Sequence, residues 1–365
     1  MQQGITAVQS CRPDGIFRGR SFVAILGEGL PNDLIIKPFS HHMVSFNKGS
    51  FRQEYPGSLM GSIALVRQTF YDVDWYRRAH KAFRTNPDQK MPEFNSAIKA
   101  LGDAENDGIV FFTSDELSLL RANHLLRELN VPFILVGSGR NYIVADDIAK
   151  IKPDLIIPVN YPKTPSIENF EDELDVTLGE LRHWERAPEN AAILSGKGIN
   201  FSFTAQGLDK KDTFLKNVRK AVKYGLSPQT ALEALTVIPA KQCGVQDMMG
   251  TLEPGKLANF FICDGDIFDD DANIYSAWTK GHEFELESRP IVDYRGTYKM
   301  KLAGGLFKIT ISGRPDHPKG EFALDNLKGG LDGFEVRDEK LFFNLSLDTL
   351  GSNDPGFHLR DTLVY

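Results

Sequence analysis

Three cysteines, at positions 11, 243 and 263, are all that the 365 residues contain, odd in number and widely spaced. That excludes a disulfide framework and a cysteine-based zinc knuckle, which need paired cysteines at regular spacing. Positive charge is not in excess either: 42 Lys and Arg stand against 49 Asp and Glu, a formal net charge of −7. A chain whose main partner is nucleic acid needs a basic surplus to bind phosphate, so that class is set aside. Long apolar runs are missing too. The longest, Ile109-Val110-Phe111-Phe112 and Phe133-Ile134-Leu135-Val136, fall far short of the roughly 18 residues of a membrane span. No repeat at solenoid periods and no low-complexity tract occurs.

What is present is ordinary globular composition, 41% hydrophobic and 25% charged. Its length suggests two domains at about 150 residues each. The expectation is a soluble protein, cytoplasmic or of the cell envelope. Gly4-Ile5-Thr6-Ala7-Val8 has the β-branched character of a buried strand, and no basic segment leads into an apolar stretch before it. A chain that opens inside a core strand is expected to be a fragment whose natural start lies upstream.

Between residues 4 and 250, short apolar runs alternate with helical patterns. Strands are predicted over 4–8, 22–26, 34–37, 108–113, 132–136, 154–158 and 199–204. Thr113-Ser114-Asp115-Glu116 has capping-box spacing and is expected to open a helix through Leu117, Leu120, Leu125 and Leu126. Ser227-Pro228 sets a cap residue before a first-turn proline, and Gly225 and Gly244 stand where helices should end. A long helix is expected over 57–75. Such alternation predicts a parallel sheet with helices packed outside it. After Gly250 the pattern changes to strands alone, over 257–264 and 274–280. Two hairpins then follow, one turning at Gly304-Gly305 and one at Asp338-Glu339.

The segment 225–281 is the most specific. Gly225-Leu226-Ser227, Ala231-Leu232-Glu233-Ala234-Leu235-Thr236, Pro239-Ala240, Gly244 and Gly250-Thr251-Leu252-Glu253-Pro254-Gly255-Lys256-Leu257-Ala258-Asn259 follow in order. This resembles the C-terminal signature of the amidohydrolase superfamily, in its imidazolonepropionase and prolidase-like branch, and the resemblance covers roughly residues 4–287. Gly4–Val8 is similar to that family's second barrel strand. The stretch 57–75, with Gly15-Ile16-Phe17-Arg18-Gly19, resembles the first half of tandem amidohydrolase-like proteins, a half that has itself lost the metal ligands.

The resemblance implies an α/β fold. The expected form is an incomplete TIM-like (β/α) barrel over 1–250 lacking its first strand, returning β-sandwich strands over 251–289 and a small antiparallel β module over 290–365. It also implies hydrolysis of non-peptide C–N bonds with zinc or another divalent metal, held by an HxH pair, a Lys or Glu, two further His and a last-strand Asp. The HxH pair would precede Gly4. The strand ends where the others belong read Gly137-Ser138, Val159-Asn160 and Ala205-Gln206. Gln206 carries no charge and cannot act as a general base. Gly137, Ser138, Asn160 and Gln206 are therefore candidates for a vestigial site, and no cofactor is expected unless the family site is retained.

Other candidates are fewer. His41-His42 is the sole His pair, but neighbours on a strand face opposite sides, so a surface or loop position is expected rather than a metal ligand. Asp209 could replace a lost Asp, although Lys210 and Lys211 beside it suggest a solvated helix start. Arg140, Asn141 and Tyr142, following a strand, could hold an anion, and Arg67, Gln68 and Tyr55 are expected to point to the barrel mouth. The reading is thus an amidohydrolase-superfamily chain that is a non-catalytic or partial domain. Its expected partners are another amidohydrolase-like domain, flanking sequence or a second copy. The alternatives are an active metal-dependent amidohydrolase or dipeptidase with an unusual ligand set, and a small-ligand-binding module.

Overall fold

Runs that are apolar at every position, rather than at alternate ones, belong to strands covered on both faces. Ile109–Phe112 and Phe133–Val136 are two such runs, and they pair as neighbours in the middle of a six-stranded sheet. In a computed structural model the described residues are 3–88, 90–165, 175–287, 293–302, 305–313, 318–324, 327–337, 340–346 and 358–364. They fall into two units, Met1–Leu286 and Glu287–Tyr365.

The first nine strands are β1 (Ala7–Ser10), β2 (Phe17–Arg20), β3 (Phe22–Ile25), β4 (Ile35–Lys37), β5 (His42–Ser45), β6 (Ile109–Phe112), β7 (Phe133–Val136), β8 (Asp154–Pro158) and β9 (Phe201–Thr204). The large sheet runs β2-β5-β6-β7-β8-β9. From β5 to β9 each strand is parallel to the next, with helical segments in the connections, while β2 joins β5 antiparallel. Among the described residues the sheet is open, with β2 and β9 as its edges. One face carries Val44, Ile109, Phe111, Leu135, Leu155, Ile157 and Phe201 into a core shared with the helices. The other carries Met43, Val110, Ile134 and Val136, with Cys11 against them.

Two expectations about this half are corrected. Residues 4–8, 22–26 and 34–37 do not join the parallel sheet. They supply β1, β3 and β4 of a separate three-stranded antiparallel sheet, so the Gly4–Val8 run is no barrel strand. The strands β2 and β5, unforeseen in the sequence, complete the large sheet instead. The N-terminal sheet is fastened to residues far along the chain: the Gln3 amide bonds the Lys211 carbonyl and the Leu215 N–H, each at 2.7 Å, and Lys37 Nζ donates to the Cys243 carbonyl at 2.8 Å.

Helix ends follow the sequence with two exceptions. Ser227 accepts from the Thr230 N–H ahead of the helix Pro228–Leu235, and Gly225, Gly244, Gly250 and Gly255 all take positive φ. The long helix spans Leu59–Thr85, capped by Ser58, rather than 57–75. The helix Glu116–Glu128, however, is capped by Asp115 and not Thr113. The Thr113 hydroxyl donates to the Val136 carbonyl at 2.6 Å, tying β6 to β7, while Asp115 accepts from the Ser118 N–H at 2.7 Å and its hydroxyl at 2.6 Å. Burial opposes the Asp115 charge, but these bonds and one from Ser114 outweigh it and hold the carboxyl below its usual range. Asp115→Ala is expected to cost about 1–2 kcal/mol, as lost caps do, measured as a shift of the urea midpoint. Ser114→Ala, remote from the helix N–H groups, should change it far less.

The first unit closes with the antiparallel strands β10 (Phe260–Cys263), β11 (Ile274–Thr279) and β12 (His282–Glu285). Phe260 and Trp278 face each other across β10 and β11 with rings stacked at 5.4 Å. The second unit is a six-stranded antiparallel meander of β13 (Gly296–Leu302), β14 (Gly305–Gly313), β15 (Pro318–Leu324), β16 (Leu327–Arg337), β17 (Lys340–Ser346) and β18 (His358–Val364). Both expected hairpins are there, with Leu302 opposite Gly305 and Arg337 opposite Lys340. Gly304, Asp338 and Glu339 of their turns lie outside the described residues. Ile309, Ile311, Phe322, Leu331 and Phe343 are buried, whereas Lys308, Thr310 and Glu321 are exposed, the period of two of a one-sided sheet.

Candidate functional site

Parallel strands joined by helices deliver their C-terminal ends to one edge of the sheet, where loops can carry chemistry. Here that edge is formed by the residues at and just beyond Ser45, Phe112, Val136, Pro158 and Thr204. Ser45, Phe112, Val136 and Ile156 stand in register across four strands, one layer above Met43, Val110 and Ile134. The lower layer is closed. In the upper one Phe112 and Ile156 are only partly covered, and Thr204 on β9 is partly open as well. The edge is therefore a partly open layer with Phe112 at its floor.

Arg18, on β2, reaches into it. Its Nε donates to the Gly15 carbonyl at 3.0 Å, its Nη2 to Ser45 Oγ at 3.1 Å, and the guanidinium lies 4.6 Å from the centre of the Phe112 ring. The Ser45 hydroxyl in turn donates to the Gly15 carbonyl at 3.1 Å, closing a triangle that holds the guanidinium in place. Gly15 and Gly19, both at positive φ, bracket the segment. Burial lowers the Arg18 pKa and raises that of Cys11 nearby. Sequence reasoning missed Arg18 and Ser45, since a single Arg between glycines fits no motif. The glycines were the signal available.

The residues expected from the sequence divide into three places. Ser138, Arg140, Asn141, Tyr142 and Asn160 do gather beyond β7 and β8. Asn141 is fully buried beside Gly137, where a Cβ would fall 2.3 Å from Asn141 Oδ1, so only glycine fits there. Asn160 lies between the loops after β7 and β9: a Cβ on Gly207 would meet its Nδ2 at 2.5 Å, and one on Gly139 its Oδ1 at 3.4 Å. Neither Asn141 amide atom, nor Asn160 Oδ1, finds a hydrogen-bond partner. Arg140 Nε lies 3.7 Å from the Glu116 carboxylate and, like these amides, is buried without a hydrogen-bond partner. Tyr142 bonds Asn190 through its N–H at 2.8 Å and shares a 3.2 Å bond with His183 Nδ1, the two rings stacked. Burial, then Arg140, keeps His183 below the ordinary histidine range.

Gln206 and Asp209 stand apart, both exposed, with Asp209 paired to Lys163 at 3.0 Å. The third group is not at this edge at all. Arg67 forms a bidentate pair with Glu128, at 2.7 and 2.8 Å. Glu128 ends the helix that runs back from β6, so Arg67 lies toward the opposite edge of the sheet, correcting its expected place at the mouth. Gln68 bonds Asp72 on its own helix, and the Tyr55 hydroxyl bonds the Gly61 carbonyl.

His41 and His42 are likewise corrected. Both are buried, where a surface or loop was expected, because they lie at the start of β5 and meet polar groups there. His41 Nδ1 lies 3.0 Å from Gln9 Nε2 and 2.9 Å from Ser40 Oγ. Burial, with Lys37 nearby, pushes its pKa down to about 4. His42 Nε2 accepts from Arg20 Nε at 3.3 Å, and Asp107 lies 3.8 Å away. Burial, then Arg20, lowers its pKa too. They sit at the N-terminal edge, opposite that layer.

Among the described residues no group of three or more His, Cys, Asp or Glu side chains could hold a metal ion. The strand ends offer hydroxyls, amides, the guanidiniums of Arg18 and Arg140, and the Glu116 carboxylate facing Arg140, a set without the cluster of imidazoles, thiolates and carboxylates that a divalent catalytic metal needs. No helix among the described residues is long and apolar enough to cross a membrane.

Comparison with known proteins bears on the lineage. No curated protein matches the chain. The model of the amidohydrolase family matches residues 186–286. Among solved structures, an amidohydrolase from Thermotoga maritima shares the fold with a TM-score of 0.64 at 18% identity, over 78% of this chain and 74% of that one. A second amidohydrolase aligns at 16% identity over 60% of this chain and 59% of its own, with a TM-score of 0.40. An Xaa-Pro dipeptidase with bound methionine aligns at 17% over 54% and 50%, with a TM-score of 0.33. Scores of that size carry no argument about fold or activity. Residues 186–286 thus match the amidohydrolase family model, and the chain shares its fold with a solved amidohydrolase.

Proposed function

We propose that this chain is a binding domain on the amidohydrolase fold, part of a (β/α) barrel, acting as a scaffold or regulatory half beside a catalytic domain or flanking sequence. The observation that supports it is the chemistry at the C-terminal edge: Ser45, Thr113, Ser138, Asn160 and Gln206, with Arg18 among them. Metal-assisted hydrolysis needs ligands to hold the ion and a general base to take a proton from its water. Hydroxyls, carboxamides and a guanidinium that stays protonated supply neither. The prolidase-like and imidazolonepropionase-like branch is the narrower lineage we favour.

A second reading, a metal-dependent hydrolase of non-peptide C–N bonds or a dipeptidase with an unusual ligand set, is favoured by the family match over 186–286. Elemental analysis of the purified chain, before and after incubation with Zn²⁺ and gel filtration, separates the two. We expect less than about a tenth of an equivalent of zinc, iron or manganese, since an assembled site holds its metal tightly. Near-stoichiometric metal would instead establish a ligand set and restore the hydrolase.

A further inference from the structure

Most arginines of this chain that leave bulk water meet an acid or several carbonyls. Arg20 pairs with Asp103, Arg67 with Glu128 and Arg140 with Glu116. Arg219 donates to the carbonyls of Ile267, Asp270 and Ala272. Arg18 is the exception at the strand ends. Its two partners, the Gly15 carbonyl and the Ser45 hydroxyl, are neutral. The acid nearest in sequence, Asp14, is turned to the backbone N–H and hydroxyl of Ser50. Asp14 acts on Arg18 through its field without pairing with it, and a partly buried charge with no direct ionic partner is costly; this one is held by two bonds on the edge where the open sheet presents its loops.

We propose that the partly open layer beyond β5 and β6 binds a small organic monocarboxylate, its carboxylate paired with Arg18 and its apolar body on the Phe112 ring toward Ile156. This rests on the reading of the chain as a binding domain and names the ligand class for that edge. The chemistry selects the class. A guanidinium presents five N–H donors in a planar fork; Arg18 commits Nε to Gly15 and one Nη2 hydrogen to Ser45, leaving donors that match a carboxylate. One guanidinium balances a single negative charge; Arg20, two residues on, is paired with Asp103, and Arg12, on the preceding loop, is exposed. A phosphate dianion would need a second cation or a cradle of N–H groups. The partly open Phe112 and Ile156 favour a ligand with an apolar part over a small hydrophilic acid.

Isothermal titration calorimetry on the full chain tests this with benzoate, hexanoate, acetate and inorganic phosphate as probes, and with benzamide as the uncharged analogue of benzoate. Benzoate and hexanoate should bind one per chain and more tightly than acetate, with benzamide and phosphate weaker still. Arg18→Gln should lower benzoate affinity at least about tenfold, the size expected for a lost charge-assisted pair. Phe112→Leu, which keeps the apolar layer, should weaken benzoate more than acetate. Circular dichroism and tryptophan fluorescence confirm that each variant is folded. Should Arg18→Gln fail to fold, the Phe112→Leu pattern and the benzoate–benzamide difference decide. No binding of any carboxylate at 10-fold excess over about 1 mM, a weak-affinity threshold, overturns the proposal, as does equal binding by folded Arg18→Gln or a preference for phosphate. The binding-domain reading survives those results while the chain stays metal-free, and fails separately if elemental analysis finds stoichiometric metal.

Discussion

Replacing Phe111 by alanine should cost the first unit about 3–5 kcal/mol, the range for emptying a buried aromatic site. Phe111 is fully buried in β6, with strands on both sides, and its ring meets Phe46 edge-on at 4.6 Å. The pocket is walled by sheet backbone and by the helix residues Leu119, Ala122 and Leu126, none of them exposed, so it can collapse only in part. Whole domains are commonly stable by about 5–15 kcal/mol, so the change removes a large share. All three tryptophans, Trp75, Trp184 and Trp278, lie before Leu286, and their fluorescence in a urea titration reports that unit. Tyr71→Ala, on the exposed side of the long helix, should stay within about 0.5 kcal/mol. Equal midpoints for Phe111→Ala and Tyr71→Ala would show that the β6 layer is not the centre of the core.

Acidification should act through His41. Its pKa is about 4 in the folded chain, against about 6.5 in an unfolded one. The unfolded state therefore takes up a proton first as the pH falls. The contribution of His41 is complete above pH 6.5, declines as the pH drops through the window, and levels off below 4. Between pH 7.5 and pH 5 the loss from this one group is about 2 kcal/mol, with His42 adding in the same direction. The check is stability against pH over that range, where most carboxylates stay ionised. His41→Gln should flatten the curve while lowering stability at pH 7.5, because the Gln9 and Ser40 contacts change. Parallel curves for the two proteins would remove His41 as the source.

Much of the large sheet was legible. β6, β7 and β8 announced themselves as apolar runs with turn signals at each end, and the helix stops at Gly225 and Gly244 followed from the need for positive φ. β2 was not, since Phe-Arg-Gly-Arg carries no strand pattern. Its position is set by partners distant in sequence: Arg20 bonds the Ala100 carbonyl and pairs with Asp103. β5 was hidden because two histidines and a serine surround Met43 and Val44. The pairing of β1, β3 and β4 was equally out of reach, because a short β-branched run fits an antiparallel sheet as well as a parallel one. At the candidate site, the loop after β7 was foreseen. The approach of Glu116 to Arg140 was not, nor was the position of Arg18, since both depend on side chains meeting from different elements.

The neighbour-to-neighbour order of β5 to β9 also bears on how the chain assembles. Each of these strands finds its partner one connection away, so the sheet can grow by successive closures whose entropic cost rises only slowly with the length of the connection. The N-terminal arm cannot follow that route. Its anchors, Gln3 to Leu215 and Lys37 to Cys243, span 212 and 206 residues. They have no partner until the helices that follow β9 are in place. On a ribosome, β1, β3 and β4 emerge before the helices that secure them, and through that interval their β-branched surface depends on whatever else will cover it.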